Sequence, residues 1–131
     1  MIEHSEIQVG NWIQVEVENE LQTRQVEHLS VERIGTKDGE KSGWFYPEEV
    51  FPIKVNDEWL KFLGFEEEAS ENGALTYRKG DTTFTLTYPD KNDKETIVLD
   101  CHGSHKRELS EVLYVHTLQN HFHGMTKVYI G

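Results

Sequence analysis

Five of the seven histidines stand in the last third of the chain: His102, His105, His116, His121 and His123. Neutral imidazole is the commonest side-chain metal ligand, so this density raises metal chemistry first. Cys101-His102-x-x-His105 offers ligands from one short segment, while His116, Asn120 and His123 recur at i, i+4 and i+7, on one face of a helix. Asp100 and Glu111 are nearby carboxylates that nothing pairs. The spacings match no zinc pattern and there is no HExxH, so the histidines are expected to make ordinary hydrogen bonds, and no metal ligand is assigned. Cys101 and His102 are adjacent, and adjacent residues of a strand face opposite ways, so the imidazole is badly placed to take the thiol proton. Cys101 is expected to be a buried, inert thiol. Gly35-x-x-x-Gly39 lacks the Lys-Ser/Thr that would reach phosphates and magnesium. Catalytic residues, cofactors and enzymatic activity are therefore not expected.

Acidity carries more information. The net charge is −11, yet residues 1–70 hold 16 acidic and 6 basic side chains, a net of −10, and residues 71–131 hold 8 and 7, a net of −1. Such a field repels nucleic acid and anionic lipid and favours encounter with a basic protein surface. The candidate partner-binding residues are Glu16, Glu18, Glu20, Glu48, Glu49, Glu66, Glu67 and Glu68. The plainer reading of each acidic run is a solvated face that serves solubility. Trp44-Phe45-Tyr46 has rings that can stack on bases, but within so acidic a stretch it is expected in the core or in a protein interface.

These residues need a scaffold. At 131 residues, 36% hydrophobic and 28% charged, the chain fits one domain with a real core, 1–131, made of two sub-halves, 1–70 and 71–131. No run approaches the roughly 20 apolar residues of a membrane helix. A single cysteine excludes an internal disulfide. Ile13, Val15 and Val17 alternate with Gln14, Glu16 and Glu18, the period of a half-buried strand. Strand character continues over Gln22–Ile34, with a slip of parity between Val26 and Leu29 that a β-bulge absorbs. Residues 35–39 read as a turn, Trp44 starts another strand, and Asn56 or Asp57 caps a helix that carries Trp59, Leu60, Phe62 and Leu63 and stops at Gly64. Residues 70–73 read as a polar break. Ala74–Arg78 and Thr82–Tyr88 form a hairpin around Lys79-Gly80-Asp81, Glu95–Asp100 adds a strand, and Cys101–Arg107 reads as a loop. Ser110 is the expected cap of a final helix with Val112, Val115, Leu118 and Phe122 as its apolar stripe, ended by Gly124, with a short edge strand at Lys127–Ile130. The fold class is α+β: small bent antiparallel sheets, the first barrel-like, with a short central helix and a C-terminal helix.

Three stretches carry a family resemblance. Phe51-Pro52-Ile53-Lys54-Val55 with Glu58-Trp59-Leu60 and Leu63-Gly64-Phe65 resembles a PI-x-L-x-x-E-W-L-x-x-x-GF pattern. Tyr114-Val115-His116-x-Leu118-Gln119-Asn120 resembles a YVHxLQN helix, and Ile7-x-Val9-Gly10-Asn11-Trp12 fits the same order. Together they resemble a group of small uncharacterised proteins from phages and mobile elements of the Bacteroides–Flavobacterium group. Val55 stands where leucine is usual, and Asn120-His121-Phe122-His123 replaces bulky apolar residues. The resemblance transfers no functional residue and implies a setting, the cytoplasm of a bacterial host. Small acidic proteins of phages are often inhibitors that occupy the nucleic-acid channel of a host enzyme, anti-CRISPR proteins among them. The expected function is thus a non-enzymatic acidic protein that docks on and inhibits a basic nucleic-acid-handling protein such as a CRISPR nuclease, without contacting nucleic acid or membrane itself. The alternatives are a structural or assembly component of a phage or mobile element, and less favoured, a metal-dependent enzyme using the C-terminal histidines.

Overall fold

Alternation of apolar and polar residues builds strand β1, Trp12–Val17, whose Ile13 and Val15 are buried while Glu16 is exposed. The structure is a computed structural model that describes residues 1–38, 41–68, 73–80, 82–101 and 105–131, with backbone alone for 37, 38, 41, 42 and 105. It is α+β, mostly antiparallel sheet, with one strongly curled half-barrel and two helices. Two compact units are formed, the first from Met1–Ile53, Tyr114–His123 and Tyr129–Gly131, the second from Lys54–Leu113 and Gly124–Val128.

In the first unit, β1 is followed by β2 (Glu20–Leu29), β3 (Ile34–Asp38), β4 (Lys41–Phe45) and β5 (Val50–Phe51) in the sheet order β4-β3-β2-β1-β5. Glu18 and Asn19, both at positive φ (52° and 66°), turn β1 into β2, the left-handed pair of a two-residue hairpin. The slip of parity in β2 is a bulge: the register to β3 shifts between Val26 and His28. It lets Val26 and Ile34 face the core on either side of the irregularity. Ile2, Ile7, Ile13, Val15, Val26, Ile34, Phe45 and Val50 form that core. The expected turn at 35–39 is in part strand, since β3 runs through Gly35 and Thr36, while Gly39 lies outside the described residues. Gly35 belongs in a strand because the Trp44 ring lies across it; a Cβ there would meet ring atoms at 3.2 Å.

The second unit is a meander. Helix α1 (Asp57–Phe62) precedes β6 (Phe65–Glu68), β7 (Leu75–Lys79), β8 (Phe84–Tyr88), β9 (Ile97–Cys101) and β10 (His105–Leu109), in the sheet order β10-β9-β8-β7-β6. Asn56 caps α1, its Oδ1 accepting from Trp59 N at 2.8 Å, and Gly64 follows at φ +93°, a conformation that suits glycine. Phe84, Leu86 and Tyr88 share the buried face of β8, and the register sets Leu86 between Tyr77 and Leu99, and Phe84 beside Cys101. Phe65 meets Phe84 edge to face, centroids 6.0 Å apart.

Three expectations are corrected. Cys101–Arg107 is not a loop throughout: β9 reaches Cys101 and β10 begins at His105, with 102–104 outside the described residues. An edge strand needs only backbone pairing on one side, so a charged stretch can serve, and it resists pairing with other chains. The final helix, α2 (Val115–Thr126), starts five residues beyond Ser110. Its approach is held by backbone pairing, Val115 N to Ile53 O in the first unit and Val55 N to Leu113 O in the second, and Thr117 Oγ1 accepts from Tyr114 N. The residues after α2 form no strand among those described; side-chain amides hold them instead. The polar break at 70–73 lies outside the described residues except for Gly73.

Phe84 is fully buried, whereas Phe62 is 60% exposed. Phe84→Ala is expected to lower stability by about 3–5 kcal/mol, and Phe62→Ala by less than about 0.5 kcal/mol, in urea denaturation.

Candidate functional site

The period of a strand decides what the glutamates can do together. Glu16 lies on the outer face of β1, opposite Leu21 of β2, itself 54% exposed. Glu18 occupies the turn and Glu20 opens β2, so all three carboxylates gather at one hairpin end, exposed and without an ion-pair partner among the described residues. Glu48 and Glu49 lie in a 3-10 turn before β5. The register Val15↔Val50 brings this turn alongside the Glu16 end of β1, but Glu49 Oε1 is engaged by Tyr46 N at 3.0 Å. Glu66, Glu67 and Glu68 do not form one patch. Successive residues of β6 face opposite ways, so Glu67 is separated from Glu66 and Glu68. Arg78, opposite Glu66 in the register, pairs with Glu68 at 2.7 Å. Counted by structural unit, the first holds 11 acidic and 4 basic side chains, net −7, and the second 13 and 9, net −4. Acidity belongs to both units, and its unneutralised cluster is the β1–β2 hairpin end.

The groups with catalytic potential are dispersed. Cys101 is a free, buried thiol in the apolar row beside Phe84. His102 and the side chain of His105 lie outside the described residues. Among the described residues, no three His, Cys, Asp or Glu side chains are grouped to hold a metal. His116 is not a surface group: it is 2% exposed, stacked on Tyr114 at 6.2 Å, and neither ring nitrogen has a hydrogen-bond partner among the described residues. Burial disfavours its charged form and lowers its pKa from 6.5 to about 4. Of Trp44-Phe45-Tyr46, Phe45 is in the core, and Trp44 and Tyr46 are exposed. Trp44 stacks loosely on His28, and the Arg33 guanidinium lies over Tyr46 at 4.9 Å.

A cleft of about 710 Å³ opens in the first unit, within the range of small-molecule sites. Ile7, Val9, Leu29 and Ile130 supply its apolar surface, and Gln25, Gln119 and Asn120 its amides. The amides are already engaged. Gln119 Oε1 accepts from Trp12 N at 2.8 Å, and its Nε2 donates to Gly10 O at 2.9 Å and Ile130 O at 2.8 Å. Gln25 Nε2 donates to Gly10 O and Gly131 O, while Asn120 accepts from Asn11 Nδ2 and donates to Glu6 O. His123 stacks on Tyr129 at 3.9 Å along one wall. Its described lining has no carboxylate side chain, and its amides hold the cleft's own segments together. Sequence reasoning missed this network, although Gln119 carried a signal: it sits four residues after Val115, inside the apolar stripe of α2, where a polar side chain implies buried hydrogen bonds.

Gln119→Leu removes the acceptor of Trp12 N and the donor to Ile130 O, and is expected to cost about 2–3 kcal/mol in chemical denaturation at pH 7. His116 gives a pH signature. Its folded-state pKa lies below the unfolded value, so the unfolded chain binds the proton first as pH falls. Stability is expected to drop by about 3 kcal/mol between pH 6.5 and 4 from this group. In His116→Leu, that part of the pH dependence disappears from denaturation midpoints measured across the window.

No protein-family model, curated protein or solved structure matches the chain.

Proposed function

We propose that this chain is a non-enzymatic binding protein, of phage or mobile-element type, that docks on the basic surface of a nucleic-acid-handling host protein and inhibits it. A CRISPR nuclease is the kind of partner meant. The observation that carries the reading is the β1–β2 hairpin end, where Glu16, Glu18 and Glu20 stand exposed and unpaired among the described residues, with exposed Leu21 opposite Glu16. An exposed apolar side chain opposite Glu16, at a hairpin end that also carries Glu18 and Glu20, suits a basic partner: the charges steer encounter and fix register, and the leucine contributes buried area. The net charge of −11 makes the same surface repel competing phosphates, so the partner's nucleic acid and this protein would exclude each other. The bound state is expected to be cytoplasmic.

Triple reversal, Glu16→Lys, Glu18→Lys and Glu20→Lys, is expected to weaken binding to such a partner at least tenfold. Wild-type affinity is expected to fall between 50 and 200 mM salt, on the order of the screening of exposed charges over a Debye length near 10 Å. Calorimetric titration against a purified nuclease, with and without its guide RNA, reads both effects. Unchanged, salt-independent affinity in the triple variant would remove the electrostatic basis of the reading.

A further inference from the structure

We infer that the cleft of the first unit is a binding site for an uncharged, largely apolar small molecule that donates one hydrogen bond to Gln25 Oε1. Its volume of about 710 Å³ is that of a site for a drug-sized ligand. The chain is 28% charged, and chance would place several charged side chains in a lining of this size; the described lining holds no Asp, Glu, Lys or Arg. A cation or anion brought there would lose water and meet no counter-charge, so the ligand is neutral. The apolar surface is not free to close on itself. Gln119 holds Gly10 and Ile130, and Asn120 holds Asn11 and Glu6, through hydrogen bonds of 2.8–2.9 Å. Val9 is left 52% exposed and Tyr129 69% exposed in the walls. Covering apolar surface that is held open in water favours binding, and walls fixed in advance lower the cost of ordering them.

A polar atom is left for recognition. Gln25 Nε2 donates to Gly10 O at 3.0 Å and to Gly131 O at 3.3 Å. Both neighbours are backbone oxygens, which only accept, so the amide has one orientation. Oε1 is then the end without a hydrogen-bond partner among the described residues, and a ligand O–H or N–H is its complement. His123 and Tyr129, stacked with centroids 3.9 Å apart, line one wall and favour a flat ring system, since ring packing adds to the area buried. The site is separate from the carboxylate cluster. The β1–β2 register puts Trp12↔Gln25 at the opposite end of β1 from Val17↔Glu20, roughly 17 Å along the strand, so it is independent of the docking reading.

The test uses the full chain and three probes of one shape, 1-naphthylmethanol, 1-naphthylmethylammonium and 1-naphthoate, followed by backbone amide NMR shifts. The expected result is saturable shifts of the Val9, Leu29 and Ile130 amides with the alcohol, at an affinity at least fivefold above that of either charged probe. A net charge of −11 favours the ammonium probe in general adsorption, which therefore gives a different order. The methyl ether of the alcohol, which has no O–H to donate, is expected to bind at least threefold more weakly. Val9→Asp sets a charge in the wall and Val9→Trp fills the cleft; each should weaken binding of the alcohol at least fivefold. Val31→Asp, at a 93% exposed position outside the lining, should leave it unchanged. Tightest binding of the ammonium probe, or shifts that neither saturate nor respond to the Val9 variants, overturns the site. Equal binding of the ether overturns the role of Gln25 Oε1. Shifts of the same amides on concentrating the protein alone, with a dimer in sedimentation, give the cleft to a second copy and overturn it as a small-molecule site.

Discussion

The first unit depends on one buried amide. Gln119, 4% exposed, ties three backbone groups: Trp12 N, Gly10 O and Ile130 O. A main-chain group buried without a partner costs on the order of 1–3 kcal/mol, so where a chain leaves its ladders inside a fold, something has to replace them. Here the replacement is side-chain amide, repeated by Gln25 and Asn120. The consequence reaches the cleft of the first unit. Its amides are engaged in holding the residues before β1 and those after α2, which leaves mainly apolar surface with the stacked His123–Tyr129 pair along one wall.

Local patterning made much of the fold legible in advance. The alternation of β1, the bulge in β2, the cap at Asn56, the stop at Gly64 and the shared face of Phe84, Leu86 and Tyr88 each rest on residues within one turn or one strand pair. What escaped rests on distant partners. β10 is a strand because β9 lies beside it, whatever its own charged side chains suggest. Ser110 has the side chain of a helix cap, but the backbone at 113 and 115 is committed to pairing with 55 and 53, and the helix begins only afterwards. Gln119 and Asn120 reach partners more than 100 residues earlier, a separation no periodicity encodes. His116 reads as a surface group by composition and is buried because the helix face it shares with Val115 is covered.

The acidic residues show how far a charge count is from a charge surface. Eight glutamates divide into three situations: three gathered at a hairpin end and unpaired among the described residues, two at a 3-10 turn with one in use as a cap, and three split across an edge strand with Arg78 among them. A run of like charge on a helix end or loop would act together. The same run on a strand is sorted to two sides by the pleat. Edge placement of Glu66, Glu67 and Glu68 has its own logic, since unpaired backbone at a sheet edge is sticky and like charges along it keep a second copy away.

The order of synthesis adds a further consequence to the amide tie. The meander of the second unit joins neighbours in sequence, and each hairpin closes as soon as its own residues exist. The sheet of the first unit precedes its closing helix, and the Gln119 side chain that bonds Gly10 and Trp12 is 109 and 107 residues further on. Until that helix is made, Gly10 O has only the Gln25 amide of this network, and Trp12 N lacks its Gln119 acceptor. The sheet of the first unit is thus made well before the helix that closes its Gln119 side.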